Sequence, residues 1–180
     1  LAGNRAFLRL ILAYLLNGIA NGLPATLFLL FVGHVLVIPD KAGMLLFIYF
    51  ACAIAGIPFW VWMSARLDKH RAWIIAMAGN CMIFSWAPFL GAGDFTPFLV
   101  ICVLSGFCLG ADLALPPSMQ ADVVDLDRMN GDQRRAGLYF AFWGMATKLA
   151  LALAVGISFP LLDMAGFDAG AGAVNDEDGL

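Results

Sequence analysis

Charge is what this sequence has least of. Only 13% of its 180 residues are Asp, Glu, Lys or Arg, against 62% hydrophobic, whereas soluble domains average about 25% charged and roughly 45–50% apolar. That scarcity excludes a water-soluble fold of this size, which would need far more polar side chains to cover its surface. The net charge of −3, without a basic run or a module of stacking aromatics, gives no support to a nucleic-acid partner. Cysteine is also sparse. Cys52, Cys81, Cys102 and Cys108 all fall inside hydrophobic segments, and none has zinc-site or thioredoxin-like spacing. They read as small apolar residues packing within helices. His34 and His70 each stand near the edge of a hydrophobic run with no second ligand at metal spacing. An initiator Met and a signal-peptide pattern are absent too, so the chain reads as a piece of a longer protein.

Long hydrophobic runs are abundant. A helix needs about 20 mainly apolar residues to cross a bilayer core of roughly 30 Å. Five stretches meet that length: Phe7–Val37, Ala42–Ala65, Ala72–Leu90, Pro97–Leu115 and Gly137–Leu162. The runs are continuous and do not alternate with period two, which favours helices over strands. The expected fold class is therefore all-α, a polytopic transmembrane helix bundle spanning residues 1–167. Residues 168–180, rich in Gly, Ala and acid, have no packing face and are expected to form a disordered tail.

The connections carry the remaining polarity. Arg66-Leu67-Asp68-Lys69-His70-Arg71 links the second and third spans, and Ser118–Arg135 links the fourth and fifth. Pro116-Pro117 is expected to end the fourth span, with Ser118 capping a short interfacial helix over Met119–Leu126. Asn130-Gly131 then marks a turn and Asp132 a cap. One side of the membrane receives Arg5, Arg9, Arg66, Lys69, Arg71, Arg128, Arg134 and Arg135, and the other only Lys41. By the positive-inside rule the N-terminus is cytoplasmic and the tail lies outside. Trp60, Trp62 and Trp73 flank the basic second loop and are expected at the headgroup level.

Two charges lie inside spans. Lys148 stands roughly 16 Å into the fifth span, at 1.5 Å per residue, where insertion scales make a lysine unfavourable by about 2.5–3.5 kcal/mol. It must face protein or water, either as a structural charge or as a contact for solute or coupling ion. Asp112 sits at similar depth in the fourth span, so an Asp112–Lys148 ion pair would lower the cost of both. Asn17 and Asn21 share one face of the first span. They serve either hydroxyl recognition in a cavity or helix packing, and Thr147 and Trp143 are weaker lining candidates. Gly18 and Gly22, like Gly106 and Gly110, have the spacing of a close-packing seam. Asp122 and Asp125 lie three apart, with Arg134 and Arg135 nearby, either as solvated loop charges or as a cytoplasmic latch.

The stretches Gly110-Ala-Asp-Leu-Ala-Leu-Pro-Pro-Ser-Met-Gln-Ala-Asp-Val-Val-Asp125, Arg134-Arg-Ala-Gly-Leu-Tyr-Phe140 and Gly144-Met-Ala-Thr-Lys148 resemble the second half of glycoside–pentoside–hexuronide:cation symporters, the melibiose-permease-like branch of the major facilitator superfamily. Asn4-Arg-Ala-Phe-Leu and the run from Asn21 to Phe28 are similar to that family's seventh helix. The resemblance implies helices seven to eleven of twelve, a missing first half of six helices, a missing last helix, and a bacterial inner membrane. It places Lys148 where the family has a lysine near its sugar and cation site, and Asp122 and Asp125 in the acidic loop that contacts the other half. Asp68 departs from the pattern, since many relatives have glycine there.

The expectation that follows is cation-coupled symport of a sugar or glycoside by alternating access, with substrate near the midplane. No cofactor is expected, and the coupling Na+ or H+ is expected mostly in the missing half. The alternative keeps the fold and changes the cargo to a lipid or another non-sugar solute. Rivals from other classes are a lipid phosphotransferase using Asp122, Asp125 and Asp127, and a non-transporting scaffold.

Overall fold

In a computed structural model of the chain, residues 4–129 and 136–164 are described. Arg134, Arg135, the Asn130-Gly131 turn, the Asp132 cap and the 168–180 tail lie outside them. Among the described residues are five helices long and apolar enough to cross a membrane. They are built on α1 (Arg5–Leu30), α2 (Ala42–Leu67), α3 (Lys69–Phe84), α4 (Phe95–Met129) and α5 (Ala136–Met164), the third reaching membrane length only with the turn that carries it to Phe89. α1 runs on through a π-helical turn, Phe31–Val35. Short 3-10 turns over Pro39–Lys41 and Ala87–Phe89 follow the first and third spans. Large apolar side chains are exposed on every helix, Phe47 at 74% and Met82 at 72% among them. Such a surface suits hydrocarbon or another helical bundle, not water.

α4 is the hub. Its most extensive contact is with α2, then with α3, while α1 pairs chiefly with α5 and touches α4 only sparingly. Gly106 and Gly110 let the α2 and α4 backbones meet, since a Cβ at Gly110 would lie 2.6 Å from the carbonyl oxygen of Ala53. Gly18 and Gly22 let α1 and α5 approach closely, with the Ala150 and Ala154 methyl groups filling the space that a Cβ would take. Both pairs thus serve the close-packing seam that their spacing predicts.

The structure corrects two expectations. α4 does not stop at Pro116-Pro117 but continues as one helix of 35 residues, so no separate interfacial helix begins at Ser118. The two prolines remove the N–H groups that would bond the carbonyls of Asp112 and Leu113. Pro116 is nonetheless fully buried, and packing against neighbouring helices holds the path, as membrane bundles allow. The tryptophans also divide. Trp60 and Trp73 are 4% and 5% exposed and lie inside the bundle, where Trp60 Nε1 donates to the Phe107 carbonyl at 2.7 Å. Of the three tryptophans flanking the second loop, Trp62 alone is exposed, with the Arg66 guanidinium 5.2 Å from its ring centre, as a headgroup-level aromatic would be.

One end of the bundle gathers the starts of α1, α3 and α5 and the far end of α4. Asn4 caps α1 by accepting from Phe7 N and donates to the Tyr139 hydroxyl at 3.2 Å. Phe7 meets Tyr139 edge-on, buried Gln120 donates to the Tyr139 carbonyl, and Lys69 pairs with Asp122. We call this the basic end. At 1.5 Å per residue α4 is ~52 Å long, well beyond a ~30 Å hydrocarbon core, so the helix is longer than a crossing requires.

Candidate functional site

The most polar point inside the bundle is Asp112 on α4. Asn17 Nδ2 donates to its Oδ1 at 2.9 Å and Asn21 Nδ2 to its Oδ2 at 2.8 Å. Trp73 Nε1 on α3 donates to Oδ1 as well, and Asn80, two turns further along α3, donates to Asn21 Oδ1 at 3.3 Å. The i, i+4 spacing of Asn17 and Asn21 puts both amides on one face of α1. That face meets α4, while the neighbouring Gly18–Gly22 face takes α5. Asn17 lies about 18 Å along the axis from Arg5, at 1.5 Å per residue, so the cluster is well inside the membrane.

The expected Asp112–Lys148 ion pair is not formed. The carboxylate takes three neutral N–H donors instead, and hydrogen bonds to a charged group are worth about 1.5–3 kcal/mol each. They offset the insertion penalty of about 2.5–3.5 kcal/mol for an aspartate at this depth, so no ammonium is needed. Lys148 is exposed on α5 and forms no ion pair among the described residues. Its neighbours Thr147 and Trp143 hold α1: the Tyr14 ring stacks on Trp143 at 3.9 Å, and the Tyr14 and Thr147 hydroxyls are 3.1 Å apart. Thr147 donates its own proton to the Trp143 carbonyl at 3.0 Å, so Tyr14 is the donor between the two hydroxyls.

Of the latch candidates, Asp122 pairs with Lys69, a residue of this same chain. Asp125 follows one turn later on the same helix. Trp73, Asn80 and Tyr14 were not singled out from sequence as site residues. Asn80 had a signal, as a lone amide within an apolar run, and Tyr14 lies three residues before Asn17. Trp73 resembled an interfacial aromatic and carried none.

Asn21 also lines a cavity of about 360 Å³ among α1 to α4, within the usual range for small-molecule sites of roughly 300–1,000 Å³. Its walls include Phe28, Phe31, Tyr49, Phe50, Phe98 and Ile101. Polar atoms are few, coming from Asn21, Tyr49 and Ser105. The Ser105 hydroxyl already donates to the Ile101 carbonyl at 2.6 Å. Such walls suit a hydrocarbon chain far better than a sugar, whose hydroxyls each need a partner when buried.

Residues 1–179 match the family described as MFS/sugar transport protein. The sphingosine-1-phosphate transporter MFSD2B of Xenopus tropicalis is 29% identical over 164 residues, covering 90% of this chain and 32% of that protein. The sodium-dependent lysophosphatidylcholine symporter 1-A of Danio rerio is 26% identical, covering 97% of this chain and 33% of its own length. An uncharacterized symporter of Synechocystis is 29% identical, covering 91% and 30%. The chain thus spans about a third of the length of the relatives it matches.

Proposed function

The chain belongs to the MFS/sugar transport protein family, and from that premise we propose that it is part of a carrier for a lipid-like amphiphile. The observation that carries this reading is the aromatic and aliphatic cavity whose lining includes Asn21. An acyl or sphingoid chain would occupy the apolar part, with the polar head toward Asn17, Asn21 and Asp112 and the face of α1 and α5 that bears exposed Lys148. Sphingosine-1-phosphate and lysophosphatidylcholine, named for two relatives, have this one-chain, one-headgroup form. The sugar or glycoside implied by the glycoside–pentoside–hexuronide resemblance finds less support, because so few free hydrogen-bonding groups line the cavity.

Coupling to a cation gradient belongs to the same proposal, supported by the sodium dependence in the name of one relative. The distribution of Lys and Arg supports a cytoplasmic basic end. Kinship with carriers displaces the phosphotransferase reading of Asp122, Asp125 and Asp127. The test is uptake by the full-length protein in proteoliposomes, offering a labelled lysophospholipid and a labelled glycoside under an inward Na+ gradient. Lysophospholipid uptake is expected, with loss of at least ten-fold in Ala25→Phe, which fills the cavity. Uptake of the glycoside alone would sink the proposal.

A further inference from the structure

The apolar cavity has a neighbour. A second hollow of about 450 Å³ is lined by Met82, Ile83 and Trp86 on one side and by Val100 and Leu104 on the other. Met82 and Trp86 are each 72% exposed, so this hollow is a groove on the outer surface of the bundle. α4 shows how the two are arranged. Phe98, Cys102 and Ser105 line the cavity, whereas Pro97, Val100 and Leu104 line the groove. Each set recurs at three- or four-residue spacing and so occupies one face of the helix. Ile101 falls between the two faces and lines both hollows. The end of α3 and the turn after it divide in the same way, with Phe84 and Ala87 toward the cavity and Ile83 and Trp86 toward the groove. The buried residues of α3, Ala72, Trp73 and Ala76, all lie in its first half, so its outer half adds nothing to the core that could thicken the wall. At Ile101 cavity and groove are one side chain apart.

We propose that Ile101 is a specificity-determining residue, one that limits the length of hydrocarbon chain this carrier accepts. The proposal rests on the amphiphile cargo put forward above and adds what sets its size. With the polar head toward Asn21 and Asp112, the chain runs outward along α4. Ile101 and Asp112 are roughly 16 Å apart along the axis, at 1.5 Å per residue. Straight ahead the way is shut: Phe98 is buried, and its ring lies 5.9 Å from that of Phe28 and 5.3 Å from that of Phe31. The side wall at Ile101 is the thinner stop. A chain that fits short of it is enclosed. The last carbons of a longer chain meet the branched Ile101 side chain and must fold back or crowd the walls, and overpacking of that kind is costly. The chain leaves one apolar medium, the bilayer, for another, so its extra methylenes gain nothing by transfer that would offset the strain. Shortening Ile101 joins the cavity to the groove and gives a longer chain a way out toward the surrounding hydrocarbon.

The experiment is competitive uptake by the full-length protein in proteoliposomes, offered myristoyl and docosanoyl lysophosphatidylcholine together, each with its own isotope. The readout is the ratio of the two lipids taken up, in which the folded fraction of each variant cancels. Ile101→Ala should raise the docosanoyl share about ten-fold, the lower end for a change of fit in an apolar pocket. Ile101→Val should raise it less, and it stands in if the alanine variant does not fold. Leu104→Trp, added to Ile101→Ala, fills the groove and should return the ratio to that of the parent protein. A ratio unmoved by both Ile101 variants would overturn the proposal. So would a raised ratio that Leu104→Trp leaves in place, because the chain end would then lie elsewhere. Uptake of neither lipid by the parent protein would sink the cargo reading and this proposal with it. Uptake of both at one fixed ratio in every variant would strike this proposal alone.

Discussion

α4 meets its two flanking partners in opposite ways. Against α2 it presents Gly106 and Gly110, so the backbones touch, and Trp60 Nε1 adds a hydrogen bond to the Phe107 carbonyl. Against α1 it presents Asp112, and the tie is made by the amides of Asn17 and Asn21 across an otherwise sparse contact. A seam of touching backbones has a single solution, because nothing in it can rotate aside. A seam of amides on a carboxylate has several, because each amide can exchange donor for acceptor at little steric cost. The α2–α3–α4 block is thus built to stay fixed, and the α1–α5 pair is joined to it by an adjustable link.

Breaking the fixed seam should have the largest effect. In Gly106→Leu the new side chain would start on top of the Tyr49 carbonyl oxygen, and backbone cannot yield as a side-chain tip does. A loss of about 3 kcal/mol is expected, at the upper end for overpacking, read as a collapsed melting temperature for the full-length protein. The adjustable seam comes next. Asp112→Leu leaves three N–H groups without an acceptor and should cost about 2 kcal/mol, given about 1–3 for each buried unsatisfied group and some relaxation toward other partners. Asp112→Asn should recover most of that. Equal melting of Asp112→Leu and the parent protein would mean that the polar tie does not hold α1 in place.

A smaller effect, of opposite sign, is expected within the fixed block. α2 and α3 are joined by Asp68 alone, at φ 72° and ψ 149°, a conformation almost reserved for glycine. Asp68→Gly should stabilise by about 1 kcal/mol, the lower end for such strain, and raise the melting temperature. No gain would show that the turn relaxes freely. The smallest change belongs to the Lys69–Asp122 pair, whose side chains are 35% and 61% exposed. Lys69→Ala should cost less than about 1 kcal/mol, and 0.5 M salt should erase the difference. A larger, salt-insensitive cost would bring that pair into the fixed block.

The five spans could be read from the sequence because length and apolarity alone decide what crosses a bilayer. The glycine seams could be read because four-residue spacing leaves few other uses. The continuity of α4 could not, since two adjacent prolines argue locally for a stop and only the burial of Pro116 among neighbouring helices explains the outcome. Asp112 was visible as an intramembrane charge, but its partners were not. Opposite sign pointed to Lys148, whereas the three donors come from residues up to 95 positions away in sequence, brought close only by tertiary packing. Trp60 and Trp73 misled for a related reason: beside a basic loop, an aromatic that packs inward and one that faces headgroups have the same sequence context.

The unbroken helix of α4 gives the molecule a lever. Asp112 and Asp122 stand on one rod about 15 Å apart, at 1.5 Å per residue, the first gripped by α1 and the second paired with Lys69 at the basic end. A pivot at the gripped point swings the far arm through a wider arc, so an ångström of adjustment at midplane becomes a larger stroke at the basic end, with no hinge required.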